Sequence, residues 1–171
     1  MSTLYNFNGK VAIVTGSSSG IGAATAIHFA KFGGQVVITG RNKEKLQKVY
    51  DQCIHAAQEG SFKTTNSVVQ VIGDITDFEV VKKLVKTAVD SFGKIDILIN
   101  NAGFALMHTI YDPNLIEVYN KLMDTNVKSV IALSQLAVPY LEKTKGVIVN
   151  VSSIASTKPS DVRIIYLNLI C

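Results

Sequence analysis

The sequence predicts an α/β fold, a doubly wound parallel sheet in three layers, and three observations carry that expectation. Five short apolar runs rich in β-branched residues recur along the chain. Four longer helical stretches separate them, and glycines punctuate the joints from helix to strand. Near-continuous apolar runs suit strands buried on both faces, the usual condition of a parallel sheet. Strand–helix alternation with short joints implies right-handed crossovers, with helices above and below the sheet.

In chain order, KVAIVT (10–15) is the first strand and IGAATAIHFAKF the first helix. QVVIT (35–39) is the second strand, and NKEKLQKVYDQCIHAAQ, which carries Cys53, the second helix. SVVQVI (67–72) is the third strand. In the helix that follows, DFEVVKKLVKTAVDSF, residues Val80, Val81, Leu84, Val85 and Ala88 form one apolar stripe while Lys82, Lys83 and Lys86 point away. IDILIN (95–100) is the fourth strand, a long helix covers roughly 114–141, and GVIVNV (146–151) is the fifth strand. Glycines 33, 34, 60, 93 and 146 stand where carboxy-terminal helix caps belong. No internal repeat or low-complexity linker divides the chain, so residues 1–171 read as one domain.

Composition narrows the function. With 47% hydrophobic and 18% charged residues, the chain is long enough and apolar enough to bury a core, which excludes a disordered protein. The net charge of +4 is spread along the whole length. A nucleic-acid binder concentrates such charge on one face, so a nucleic-acid partner is not expected. Cys53 and Cys171 make neither a metal spacing nor a disulfide framework, and His28, His55 and His108 form no spaced cluster. The amino terminus MSTLYNFNGK lacks a signal-peptide core, and no run approaches the ~18 apolar residues of a membrane span. A cytoplasmic protein without membrane partner is the expectation. Asn150-Val151-Ser152 matches a glycosylation sequon, but in a strand pattern it reads as coincidence.

In a doubly wound sheet, ligands bind beyond the carboxyl ends of the strands, and the residues that carry chemistry follow the strands here. Directly after the first strand comes TGSSSGIG, Thr15 to Gly22. Gly16 permits a tight turn, while Gly20 and Gly22 let backbone approach phosphates and pack the next helix closely. The helix that begins here would aim its N–H groups and dipole at a pyrophosphate.

TGSSSGIG resembles the cofactor motif of the short-chain dehydrogenase/reductase family, with a Rossmann-like fold. Asn100-Asn101-Ala102-Gly103 resembles that family's NNAG motif. The resemblance implies cofactor contacts from Thr15, Gly16, Ser18, Gly20, Ile21, Gly22, Asn101, Ala102 and Gly103, and from Asp74, in GDIT, an acid that touches the adenine. It also implies a proton-relay role for Asn126 in MDTNVKS and catalytic roles for Ser153 in VNVSS and for Tyr166, thirteen residues on. Plainer readings stand beside these. Asp74 is well placed to cap a helix starting near Thr76. Asn101 is suited to bonding neighbouring backbone as structural support. Asn126, polar within a long helix, would compete with its own backbone unless satisfied elsewhere.

At the end of the second strand, where a fold that prefers NAD commonly places an acid for the ribose 2′-hydroxyl, stand Gly40 and Arg41. An arginine can hold a 2′-phosphate bidentately, which favours NADP(H) over NAD(H). In the family, hydride passes between nicotinamide and a carbonyl or alcohol carbon of a small molecule. The tyrosine moves the proton on oxygen, the serine steadies that oxygen, and a lysine four residues after the tyrosine favours the tyrosinate. Here that place holds Ile170. The departure from the family begins near Pro159, so the domain is expected to lack its carboxy-terminal part. A longer natural chain, homo-oligomeric as is usual in the family, is one expectation; a truncated, inactive form that binds nucleotide or pairs with a complete relative is the other.

Overall fold

The computed structural model describes residues 5–60, 62, 66–106 and 109–153. Its centre is β1 (Val11–Val14), whose four residues are all buried. β2 (Gln35–Gly40), β3 (Val68–Ile72), β4 (Ile97–Asn100) and β5 (Val147–Asn150) complete a sheet of order β3-β2-β1-β4-β5, every pair parallel. From β1 the chain steps outward through β2 to β3, then jumps back across β2 and β1 to β4. Because crossovers are right-handed, reversing the direction of travel moves the helices to the other face.

The core is accordingly split in two by the sheet. On one face, α1 (Gly20–Lys31) and α2 (Lys43–Glu59) bury Ala26, Phe29, Leu46 and Cys53 against Ala12, Val14, Val36 and Ile38. On the other, α3 (Phe78–Phe92) and α5 (Ser129–Thr144) bury Leu84, Ala88, Leu133 and Ala137 against Ile13, Val37 and Leu98. The alternation Ala12, Ile13, Val14 thus feeds both layers, as the period of two of a strand requires. Burial pushes the Cys53 thiol up to about 12, so it stays protonated and packs as a small hydrophobe. The expected stripe of α3 is the buried one, and the lysines opposite it make surface pairs, Lys82 with Glu79 and Lys86 with Asp90, each at 2.7 Å. Among the described residues, no helix is long and apolar enough to cross a membrane.

Three local expectations are corrected. The long helix of 114–141 is not uniform: α4 (Leu115–Met123) passes into a π-helical turn at Asp124–Lys128 before α5 begins. The glycine caps are mixed. Gly93 takes the left-handed conformation at φ 79° and returns its N–H to Val89 O at 2.8 Å, but Gly60 is extended, and at the end of α5 the left-handed residue is Lys145. Gly146 is needed for proximity instead, since a Cβ there would strike the Asp96 carbonyl. Lastly, β5 is not buried on both faces. Val147 and Val149 are about half exposed, because the α1–α2 layer stops short of this strand among the described residues.

One buried acid holds the lower rim of the sheet. Asp96, before β4, accepts the Val11 N–H at 2.9 Å and faces Lys94 at 3.0 Å and Lys10 at 3.3 Å. Burial alone would raise its pKa, but the Val11 N–H and the two ammonium groups together outweigh that and hold it below the usual carboxylate range. A depressed folded value means stabilisation that is present above the unfolded pKa of about 4 and lost as pH falls through the lower folded one. Asp96→Asn is therefore expected to cost about 1–2 kcal/mol at neutral pH and to flatten the acid-side loss of stability. Urea denaturation of both proteins between about pH 6 and about pH 3 checks this. Parallel stability curves would refute it.

Candidate cofactor and active site

The turn from β1 into α1 is pressed against the exit of β4. Gly16 sits at φ +65°, and a Cβ on it would lie 2.8 Å from Ala102 Cα. A Cβ on Gly22 would lie 2.5 Å from Asn101 Nδ2 and 2.6 Å from Gly16 O. Glycine is thus required at 16 by both conformation and space, and at 22 by space.

Hydrogen bonds clasp the same two loops. Thr15 Oγ1 accepts the N–H groups of Asn101 and of Ala102, both at 2.9 Å. Asn101 Nδ2 donates in return to Thr15 O at 2.9 Å and to Gly16 O at 3.3 Å. The supporting role expected of Asn101 is the one its contacts describe. Ser17, which sequence reasoning passed over, is fully buried; its hydroxyl donates to Val14 O at 2.6 Å and accepts the Thr39 N–H at 3.0 Å, tying the turn to β2. Nothing in SSS distinguishes it from Ser18, which lines the cleft above.

Two chambers open over the carboxyl ends of the strands and share the wall Ala102–Phe104. The smaller, about 200 Å³, is lined by Gly16, Ser18, Gly40, Arg41 and Asp74 among others. The larger, about 450 Å³, is bounded by Ile21, Asn101, Asn126, Asn150 and Ser152 among others. The α1 N-terminus beside them differs from its neighbours. α2 is capped by Asn42, which accepts the Lys45 N–H, and α3 by Asp77, which accepts the Glu79 N–H. In α1, Ser19 makes no side-chain cap bond and no acid occupies the first turn. Its positive end is left for an anion.

Asp74 is not the cap of a helix at Thr76, because α3 begins at Phe78 and Asp77 caps it. Asp74 Oδ1 instead accepts the Thr76 N–H at 3.0 Å and the Thr76 hydroxyl at 2.9 Å, and Oδ2 lies 3.6 Å from Arg41 Nη1. Burial works to raise this carboxyl's pKa, but the Thr76 bonds and Arg41 prevail and keep it below its ordinary value.

Asn126 lies within the π turn, the place where a helix leaves its regular bonding. Its Oδ1 accepts the Phe104 N–H at 3.1 Å and its Nδ2 donates to Phe104 O at 2.9 Å. The competition with its own backbone is resolved by pairing with another segment's. Gly103 faces it closely: a Cβ there would stand 3.3 Å from Asn126 Oδ1. Asn100, read in the sequence only as the first residue of a motif, makes side-chain contacts that the sequence did not announce. Buried Asn100 donates through Nδ2 to Asn150 Oδ1 at 2.8 Å and to Ser134 Oγ at 3.3 Å, locking β4 to β5 below the larger chamber. The signal available was the first asparagine of NNAG. Ser152 lines the larger chamber and Ser153 beside it is half-buried, while Gly20, at φ +57°, stands on the open side of the turn. Tyr166 and Ile170 lie outside the described residues.

A parallel sheet of this order, with a glycine turn and an open helix N-terminus facing a divided cleft at the switch between β1 and β4, is a dinucleotide-binding α/β domain. The short chain dehydrogenase family profile matches residues 10–167, and the chain belongs to that family. An uncharacterised oxidoreductase of Staphylococcus aureus is 39% identical over 158 residues, which are 92% of this chain and 64% of that protein. An 11-beta-hydroxysteroid dehydrogenase-like protein of Arabidopsis thaliana is 35% identical over 94% of this chain and 50% of its own length. Among solved structures, a glucose dehydrogenase of Caenorhabditis elegans is 43% identical with a TM-score of 0.75, over 88% of this chain and 57% of that one. A short-chain dehydrogenase/reductase of unknown function from the same organism, solved with cofactor, is 34% identical with a TM-score of 0.83, over 96% and 60%. The chain therefore spans just under two thirds of the length of the Staphylococcus relative. The family is one of oxidoreductases that use a nicotinamide nucleotide, NAD or NADP.

Proposed function

We propose that the protein is an NADP(H)-preferring oxidoreductase acting between a nicotinamide and a carbonyl or secondary alcohol of a small molecule. The observation that carries the reading is the divided cleft, with Arg41 at one end and Asn126 and Ser152 at the other. The glycine cradle, the open N-terminus of α1 and a cationic side chain where an acid would select NAD make a donor set suited to a phosphorylated dinucleotide. When bound, the nicotinamide supplies or accepts the hydride. Arg41 would hold the 2′-phosphate, and the N–H groups of Gly20, Ile21 and Gly22 would face the pyrophosphate. Asn126 stiffens the wall at Gly103–Phe104 and so keeps the two ends in register. Ser153 would donate a hydrogen bond to the substrate oxygen, and Tyr166 would carry its proton.

A second reading is a form that binds nucleotide without turnover. Ile170, at the place of the family's lysine, favours it, because the positive charge that favours the tyrosinate in the family is not supplied from that position.

Fluorescence titration tests the cofactor assignment. Arg41→Asp is expected to weaken NADPH binding about 100-fold and NADH binding by less than about threefold. Equal effects on both would overturn it. Consumption of NADPH against a panel of aldehydes and ketones then separates the two readings: turnover supports the enzyme, binding without turnover the second form.

A further inference from the structure

Arg41 does not face the smaller chamber alone. The ends of β2 and β3 are held side by side, Gly40 being paired with Ile72 in the sheet and Gly73 N–H donating to Gly40 O at 3.2 Å. The residues one step beyond, Arg41 and Asp74, therefore emerge next to each other on the chamber's rim. Asp74 is oriented by its neighbour, because one of its oxygens accepts from both the N–H and the hydroxyl of Thr76. The other oxygen is left aimed at the guanidinium, 3.6 Å from Nη1.

We propose that Asp74 sets the strength of the cofactor preference by competing with the 2′-phosphate for Arg41. The inference rests on the assignment of Arg41 to that phosphate. An incoming phosphate must share or displace the carboxylate's hold, and its own charge then lies near an acid oriented by Thr76. A ribose 2′-hydroxyl leaves the pair intact and meets no repulsion. Asp74 thus tempers a preference that Arg41 alone would make steeper. The pair is accessible to water, with Arg41 77% and Asp74 42% exposed, so the effect is modest and screened by salt.

Asp74→Asn isolates the charge, since the amide oxygen still accepts from Thr76 and the turn is kept. The NADPH-to-NADH affinity ratio is expected to rise about fivefold in the variant at low ionic strength, since any change in the adenine contact is common to both cofactors and cancels in the ratio. The gain should vanish in about 1 M salt, where the screening length falls to about 3 Å. A merely structural role would move both cofactors together and would not respond to salt. Asp74→Ser, which also keeps an acceptor for Thr76, serves as a second variant, and an unchanged melting temperature reports that each folds. An NADPH-to-NADH affinity ratio that stays level or falls in these variants overturns the proposal. Arg41→Asp distinguishes the two failures: if it leaves the ratio untouched, the assignment of Arg41 is wrong; if it abolishes the ratio while Asp74→Asn does nothing, only the competition is wrong.

Discussion

Gly16→Val is expected to abolish NADPH binding and to lower stability by about 3 kcal/mol or more. Two penalties act together. The position has φ +65°, where a β-branched side chain is a steric outlier. The new Cβ would also lie 2.8 Å from Ala102 Cα and 3.1 Å from Ala102 N, backbone atoms that cannot swing aside as a flexible side chain would. To relieve the clash the turn must lift from the exit of β4, which separates the cradle from the wall that both chambers share. Guanidinium denaturation and NADPH titration on the same preparation check this. Near-normal stability and affinity would mean that the loops are looser than these distances require.

Thr15→Val is the second large effect, and here nothing is overpacked. Valine nearly matches threonine in shape but lacks the oxygen that accepts two backbone N–H groups, those of Asn101 and Ala102. Each donor stranded at a partly buried position costs about 1–2 kcal/mol, so a loss of about 2–3 kcal/mol is expected, with weaker nucleotide binding because the NNAG loop is released. Thr15→Ser, which keeps the hydroxyl, should lose less than about 1 kcal/mol. Amide hydrogen exchange gives the site-specific reading: protection at Asn101 and Ala102 should fall in the valine variant and persist in the serine one. If the two variants were equally stable, the clasp would contribute nothing and the asparagine side chain alone would hold the loops together.

These experiments probe features that were unequally visible in the sequence. Gly16 and Gly22 were legible, because a glycine-rich turn between an apolar run and a helical pattern has few physical purposes. The five strands and the stripe of α3 were legible for a similar reason: periods of two and of 3.6 are written locally along the chain. The π turn at Asp124–Lys128 was not, since it arises where Asn126 spends its side chain on Phe104, 22 residues earlier in sequence. The cap at Lys145 was hidden by Gly146 beside it, which looks like a cap and serves instead to let β5 approach the Asp96 carbonyl. Asp74 looked like a helix cap because the true one, Asp77, stands three residues further on with the same side chain.

By itself the sequence determined the class of each element, their order, the parallel sheet that this order implies, and the placing of polar and glycine residues just after the strands. All of these follow from local periodicity, turn chemistry and the handedness of crossovers. Only the tertiary structure decided which of those residues act on one another. Thr15 meets Asn101 across 86 positions, Asn100 meets Asn150 across 50, and Arg41 meets Asp74 because β2 and β3 happen to be neighbours in the sheet. Side-chain polarity says that a group needs a partner; only packing says which partner lies within reach, since the distances that govern hydrogen bonds and charge pairs are those of space and not of sequence.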